Sequence, residues 1–295
     1  MKEIKLINVK VRINKKKILD NISVEFNEDR IYCLIGKNGS GKSTLLNLIS
    51  QIWKTKTGFI KLTEKMDIGV MNGEGFYESL TIYQNLTHHC ILHSYDNDKI
   101  DFWLKEFELW DERKKKISKL SYGMRQKVSF IKAIIGNPDI LILDEPFNGL
   151  DNFSRKKIIE MMNEFIKQKG KIVIVASHLL QDLEHEYIDY IYIAEGRIRK
   201  IINSELIKTD YVCLKVMFKD ESEIERFINK NKIDETCIYA MNLSDLIIIT
   251  EKGLLEQISL AEEQIDYEII PDIIKALEGM IGNERFNKHN KSRNI

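Results

Sequence analysis

One stretch of the chain has residue types and spacing suited to phosphate chemistry. Residues 36–43 read Gly36-Lys37-Asn38-Gly39-Ser40-Gly41-Lys42-Ser43, followed by Thr44. A glycine, four free positions and then Gly-Lys-Ser is the pattern of a loop that cradles a polyphosphate in backbone N–H groups. Lys42 can reach the β- and γ-phosphates, and Ser43 can place its hydroxyl on Mg²⁺. A carboxylate pair, Asp144-Glu145, closes the apolar run Ile140-Leu141-Ile142-Leu143. At the carboxyl end of a buried parallel strand such a pair overlooks the ligand crevice. Asp144 suits the metal, and Glu145 suits polarising an attacking water.

Two more positions fit the same chemistry. Ser121-Tyr122-Gly123-Met124 precedes an apolar helix and puts a small hydroxyl and a glycine at its N-terminus, which suits an anion but equally an ordinary helix start. His178 follows the apolar run ending at Ala176, a second strand end facing the crevice. His88, His89, Cys90 and His93 cluster in sequence but lack a fourth ligand at metal spacing, so they read as packing and surface residues.

The elements that must position these groups follow from periodicity. Arg30–Ile35 is an apolar run of strand length, and Thr44–Ser50 is apolar at helical spacing. Together they make the strand, glycine loop and helix of a triphosphate site. Alternation predicts strands at Glu3–Ile13, Ile22–Phe26, Gly58–Leu62 and Ile68–Met71. From Thr81 to about Ile135 the period is helical. Ile140–Leu143 and Lys171–Ala176 are buried strands flanking an amphipathic helix at Arg155–Gln168. Tyr190–Ala194 and Arg197–Ile202 form a hairpin about Glu195-Gly196. The class is α/β, with antiparallel strands before the nucleotide core and a helical insertion at about 76–135.

Composition shifts near 203–210, which divides the chain into a first domain at 1–205 and a smaller one at 206–282. The second reads β-α-β-β-α-β, a ferredoxin-like order. Its elements are Tyr211–Phe218, Glu221–Asn231, Thr236–Met241, Leu246–Thr250, Gly253–Gln264 and Tyr267–Ile270, with a closing helix at Asp272–Met280. Residues 283–295 read as a disordered tail.

Bulk properties narrow the function classes. The 295 residues carry 45 basic and 45 acidic side chains, so there is no overall nucleic-acid footprint. The four cysteines are scattered without a C-x-x-C pair, which favours a reducing compartment. No apolar run approaches the ~18 residues of a membrane span.

Taken together, residues 1–205 resemble the ATP-binding-cassette (ABC) ATPases. Gly36–Ser43 matches the Walker A loop and Leu120-Ser121-Tyr122-Gly123-Met124 the family signature. Ile140–Glu145 matches Walker B with its glutamate, Gly149-Leu150-Asp151 the D-loop, and His178 the switch histidine. The resemblance implies a P-loop NTPase cassette with a RecA-like core, an antiparallel β subdomain and a helical subdomain. It implies ATP and Mg²⁺ as cofactors. It also implies a head-to-tail dimer in which ATP touches the Walker A residues and Thr44 of one subunit and Ser121 and Gly123 of the other.

Three departures stand out. Ile13 falls where family members often stack an aromatic residue on adenine. The loop Met71-Asn72-Gly73-Glu74-Gly75-Phe76 lacks the usual glutamine, and Glu74 is the nearest acidic substitute for contact with metal or water. Tyr122 and Met124 replace the commoner glycine and glutamine of the signature.

Ser121–Gln126, the segment 75–81 and the carboxyl-terminal extension resemble the branch that exports peptide antibiotics and drugs. The resemblance then implies a second ATPase subunit, a separate integral-membrane permease and a place in the cytoplasm at the inner face of the membrane. Phe76, Tyr77, Leu80 and Tyr83 fall where the family receives the permease, or pack the helical insertion; both roles are open, and the first requires Phe76 or Tyr77 to be exposed. The rival class is a soluble ABC ATPase acting in regulation, on ribosomes or on DNA. A single Walker A weighs against the ribosomal members, and the absence of long coiled-coil or zinc insertions against the DNA-repair members; regulation without transport stays open.

Overall fold

Asn14 and Lys15 both adopt positive φ (48° and 65°) and fold the first long strand back on the second. These strands are β1 (Glu3–Ile13) and β2 (Lys16–Asn27). With β4 (Thr57–Leu62) they form an antiparallel sheet in the order β2-β1-β4. The computed structural model describes residues 2–55, 57–177, 188–203, 211–233, 238–241, 245–251, 258 and 266–270. They form two compact units, the first drawn from Met1–Ser177 and Asp182–Ile198, the second from Arg199–Ile295.

A six-stranded sheet makes the centre of the first unit, and its last strand runs on past Ile198. Its strands are β3 (Arg30–Ile35), β5 (Ile68–Met71), β6 (Ile140–Asp144), β7 (Ile172–Ala176), β8 (Ile188–Ala194) and β9 (Arg197–Asn203). Their order is β5-β6-β7-β3-β8-β9. The β5–β6, β6–β7, β7–β3 and β3–β8 pairs are all parallel. Wholly apolar β6 and β7 are buried from end to end except Asp144, as expected of parallel strands covered on both faces. The period of two divides them. Tyr32, Leu34, Ile140, Ile142, Ile172 and Ile174 enter one cluster with Leu45, Leu46, Leu48 and Ile49 of α1 (Lys42–Ile49) and with Ile4, Leu6, Ile22 and Phe26 of the antiparallel sheet. So α1 lies between two sheets, and each of its four buried aliphatic side chains contributes about 2 kcal/mol of apolar burial. The helix that starts at the phosphate loop is thereby fixed in place.

The helical stretch resolves into α2 (Ile82–His93), α3 (Lys99–Glu106), a 3-10 turn at Ile117–Lys119 and α4 (Tyr122–Ile134). Thr81 and Gln84 start α2 with a reciprocal capping box, which satisfies two of the backbone donors that a helix start leaves open. α5 (Asn152–Ile166) starts three residues earlier than the periodicity indicates, because Asp151 caps it.

In the second unit β10 (Tyr211–Met217), β11 (Ile238–Met241), β12 (Asp245–Glu251) and β13 (Asp266–Ile270) form an antiparallel sheet in the order β11-β12-β10-β13. That is the ferredoxin-like strand order. The first crossover helix, α6 (Glu221–Lys230), is capped by Asp220 and packs Ile224 and Phe227 with Leu214, Val216, Leu246 and Ile248. Most of the expected helix at 253–264, the closing helix at 272–280 and the tail lie outside the described residues.

Candidate functional site

The loop after β3 has the backbone that its glycines permit. At Gly36 a Cβ would lie 2.2 Å from the Ile193 carbonyl oxygen, so β8 passes too close for any side chain. Gly41 has φ 110°, and a Cβ there would meet Leu19 Cδ2 at 2.6 Å. A Cβ at Gly39 would meet nothing within 4 Å, which leaves that side of the loop open. Lys37, Asn38 and Gly39 are exposed, Ser40 is buried and Thr44 is half-buried. Ser40 Oγ is buried without a hydrogen-bond partner among the described residues. A buried hydroxyl left so is costly unless a ligand satisfies it.

Lys42 is buried, and its ammonium donates to the carbonyls of Gly36 (2.6 Å) and Lys37 (3.3 Å). Burial pulls its pKa below the usual lysine value, while the nearby charges of Glu145 and Asp144 oppose that fall. Asp144 ends β6 across one strand from β3. Burial raises its pKa, and a hydrogen bond from Ser43 and the charge of Lys42 hold the rise back. Lys42, Ser43, Asp144 and Glu145 therefore converge on one place. Glu145 takes left-handed backbone, φ 49°, while its N–H donates to Ala176 O at 2.8 Å. A non-glycine residue in that region is strained, and such strain concentrates at functional sites.

Ser43 and Asp144 present hard oxygen donors to one another, and Ser40 adds an unpartnered hydroxyl. This donor set fits Mg²⁺, which prefers oxygen ligands. Cys33 lies beneath the loop, fully buried, and burial pushes its thiol far above the usual range.

Ser121, Gly123 and Asp151 form a second grouping. Ser121 Oγ accepts from Met124 N at 3.2 Å and so caps α4. A Cβ on Gly123 would lie 2.7 Å from Gly149 O. Tyr122 lies over Gly149: a Cβ there would come within 2.2 Å of Tyr122 Cδ1. Gln126 Nε2 donates to Tyr122 Oη at 2.8 Å. Asp151 accepts from Ser154 N (2.8 Å) and Ser154 Oγ (2.9 Å), and Lys127 of α4 lies 3.7 Å from its carboxylate. The signature helix and the D-loop are thus locked together, a contact with no signal in the sequence.

Ile13 ends β1, 38% exposed, on the hairpin whose other strand carries Ile18 and Leu19 against Gly41. Glu74 is exposed in the loop after β5, its N–H bonded to Asn72 Oδ1 at 3.1 Å. Tyr77 is 50% exposed. His178 lies outside the described residues. Among the described residues no group of three histidine, cysteine or acidic side chains is arranged to hold a metal ion. His89 and His93 instead contact one another and Tyr95. No helix among the described residues is long and apolar enough to cross a membrane.

A parallel sheet with a glycine-rich loop, a buried lysine and two strand-end carboxylates defines a P-loop nucleotide-binding protein. The comparisons with known proteins make this specific. The ABC transporter family model matches residues 19–148. An uncharacterised ABC transporter ATP-binding protein of Methanocaldococcus jannaschii is 36% identical over 187 residues, 62% of this chain and 70% of the relative. The lantibiotic transport ATP-binding protein SrtF of Streptococcus pyogenes is 29% identical over 205 residues, 66% of this chain and 88% of the relative. The bacitracin transport ATP-binding protein BcrA of Bacillus licheniformis is 28% identical over 218 residues, 70% of this chain and 71% of the relative. In fold, a dimeric bacterial ABC transporter cassette superposes with a TM-score of 0.61 at 24% identity, covering 68% of this chain and 98% of that one. The chain belongs to the ABC transporter family of ATP-binding proteins, and it is an ABC ATPase.

Proposed function

We propose that this protein hydrolyses ATP to drive a separate membrane permease, and that the cargo is an antibiotic peptide or drug moved outward. The observation that carries the ATPase part is the convergence of Lys42, Ser43, Asp144 and Glu145 beside the phosphate loop. The cargo is supported by the likeness to relatives named for lantibiotic and bacitracin transport.

In this reading the backbone N–H groups of residues 36–44 hold the phosphates, and Ile13 offers an apolar contact to the base. Lys42 leaves the Gly36 and Lys37 carbonyls and binds the β- and γ-phosphate oxygens. Ser43 and Asp144 would hold Mg²⁺, with Glu74 as a further candidate, and the ion when bound neutralises charge on the phosphates. Glu145 accepts a proton from the attacking water or orients it. His178 contacts the γ-phosphate. Ser121 and Gly123 complete the site of a second, identical subunit, and Asp151 shapes that interface. ATP binds the closed dimer better than the open one and so shifts the population towards closure. The permease holds the protein at the cytoplasmic face of the membrane.

The test is a pull-down of tagged Glu145→Gln protein with ATP from detergent-solubilised membranes, read by mass spectrometry. A stoichiometric polytopic membrane protein supports the transporter reading. Ribosomal proteins, or no membrane partner, would overturn it and leave the ATPase standing.

A further inference from the structure

Asparagine is followed by glycine at three places in the chain: Asn38-Gly39, Asn72-Gly73 and Asn148-Gly149. They lie in the loops that leave β3, β5 and β6, at the carboxyl edge of the parallel sheet. The side-chain amide of an asparagine can be attacked by the main-chain nitrogen of the next residue. Glycine permits this most readily, because it has no Cβ to block the approach and its backbone swings freely.

The fold treats the three pairs differently. In the loop after β5, Gly73 N is held by Ser129 Oγ at 3.2 Å, and half-buried Asn72 accepts from Glu74 N through its Oδ1 at 3.1 Å. In the loop after β6, Asn148 N donates to Glu145 O at 3.3 Å, and the Tyr122 ring closes over Gly149. Asn38 and Gly39 are both exposed. A Cβ on Gly39 would meet nothing within 4 Å, and its N–H has no bonded acceptor among the described residues. Ser40 N donates to Lys37 O at 3.1 Å, so the pair forms the tip of a tight turn, with Gly39 at φ 80°. Of the three pairs, this one has an open nucleophile and the room to move.

We propose that Asn38 is a site of spontaneous deamidation, and that bound nucleotide protects it. Hydroxide takes the proton of Gly39 N, and the nitrogen attacks Asn38 Cγ. The N–Cγ bond forms, the Cγ–Nδ2 bond breaks, and the departing nitrogen leaves as ammonia with a proton from water. The cyclic imide then takes up one water. Opening at Cγ gives aspartate; opening at the main-chain carbonyl gives isoaspartate, which lengthens the loop by one methylene. Nothing is oxidised or reduced. Either product puts a carboxylate where phosphate oxygens are to be held, and like charges at close range repel. The inference rests on the reading of this loop as the seat of the nucleotide. A phosphate that accepts from the loop N–H groups keeps their protons in place and covers the open side. A chain left empty therefore loses its phosphate loop with time, and an occupied chain keeps it.

The experiment ages the full chain carrying Glu145→Gln in warm, mildly alkaline buffer, with and without Mg-ATP. Peptide mass spectrometry follows the amide-to-acid change at each asparagine, and isoaspartate is counted by enzymatic methylation. In the empty chain Asn38 should convert first. In denaturant, where each asparagine is simply followed by glycine, the three should convert at similar rates. ATP at about 100 times its Kd leaves roughly one loop in a hundred empty, so conversion of Asn38 should slow by roughly 100-fold. Aged chains, separated by their extra negative charge, should bind ATP roughly tenfold or more weakly than unaged ones, with the melting temperature little changed. Faster conversion of Asn72 or Asn148 than of Asn38 in the folded chain overturns the site. Equal conversion of Asn38 with and without ATP, in protein shown by titration to be saturated, overturns the protection and leaves the nucleotide reading intact. Failure of unaged chains to bind ATP removes that reading and the protection with it.

Discussion

Lys42 and Gly36 are joined across the phosphate loop, the ammonium donating to the carbonyl at 2.6 Å. One lysine thus holds the first glycine of its own loop, and the loop keeps a cradle shape through a bond that a phosphate group would replace. Lys42→Met removes the charge and keeps the length. Charge-assisted hydrogen bonds contribute about 1.5–3 kcal/mol, so ATP affinity should fall by roughly 10- to 150-fold. A fluorescent-nucleotide titration measures this, and affinity within a factor of two would exclude Lys42 from phosphate contact.

Glu145→Gln keeps the shape of the side chain and removes its basicity. General bases contribute about 10²–10⁴ in rate, so phosphate release should fall by at least 100-fold while ATP still binds. With hydrolysis blocked, ATP should hold the closed dimer, visible as a doubled mass in light scattering. Turnover close to the parent protein would take Glu145 out of the chemistry.

Gly149→Ala tests the lock between the signature helix and the D-loop. The new methyl would meet the Tyr122 ring at 2.2 Å, on a backbone at φ 71°. Both effects destabilise, together by about 1–3 kcal/mol, and a fall of several degrees in melting temperature is expected. Combining it with Tyr122→Gly should recover the steric part only. Equal melting temperatures for the single and double variants would show that the ring does not set the cost.

Asp151 stabilises α5 in its charged form. Its hydrogen bonds from the Ser154 backbone and hydroxyl hold its carboxyl below the usual range. With the folded pKa lowered, the stabilisation is fully present above the ordinary carboxyl value of about 3.9 and is lost as pH falls through the folded value. Asp151→Ala should therefore cost about 1 kcal/mol at neutral pH and progressively less in acid, while Asp151→Asn, which still accepts hydrogen bonds, costs less. Denaturant melts across pH decide the matter; a cost independent of pH would mean that the charge plays no part.

The phosphate loop and the strand-end carboxylates were legible because each is a local pattern: a spacing of glycines, or an apolar run ended by acids. Tyr77's exposure satisfies the condition set for a docking role, since the residue is half open to solvent. The first part of β2 was missed. The strand begins at Lys16, six residues before the alternation becomes clear. Its register with β1 shifts between Leu6 and Val9 and again between Val9 and Val11, where Asn8 and Asn21 take positive φ. Bulges of this kind break the period of two that marks a strand. The packing of Tyr122 over Gly149 was illegible for another reason. It depends on which distant segments the fold brings together, and no local spacing encodes that.

The left-handed backbone at Glu145 has a consequence for how the sequence can change. Glycine is at ease at φ 49°, whereas a side chain there costs about 1 kcal/mol. Glu145→Gly would therefore relieve that strain, set against glycine's larger loss of chain entropy on folding, and would remove the carboxylate proposed to act on the water. Screening for stability and screening for turnover would then rank the residues at this position differently.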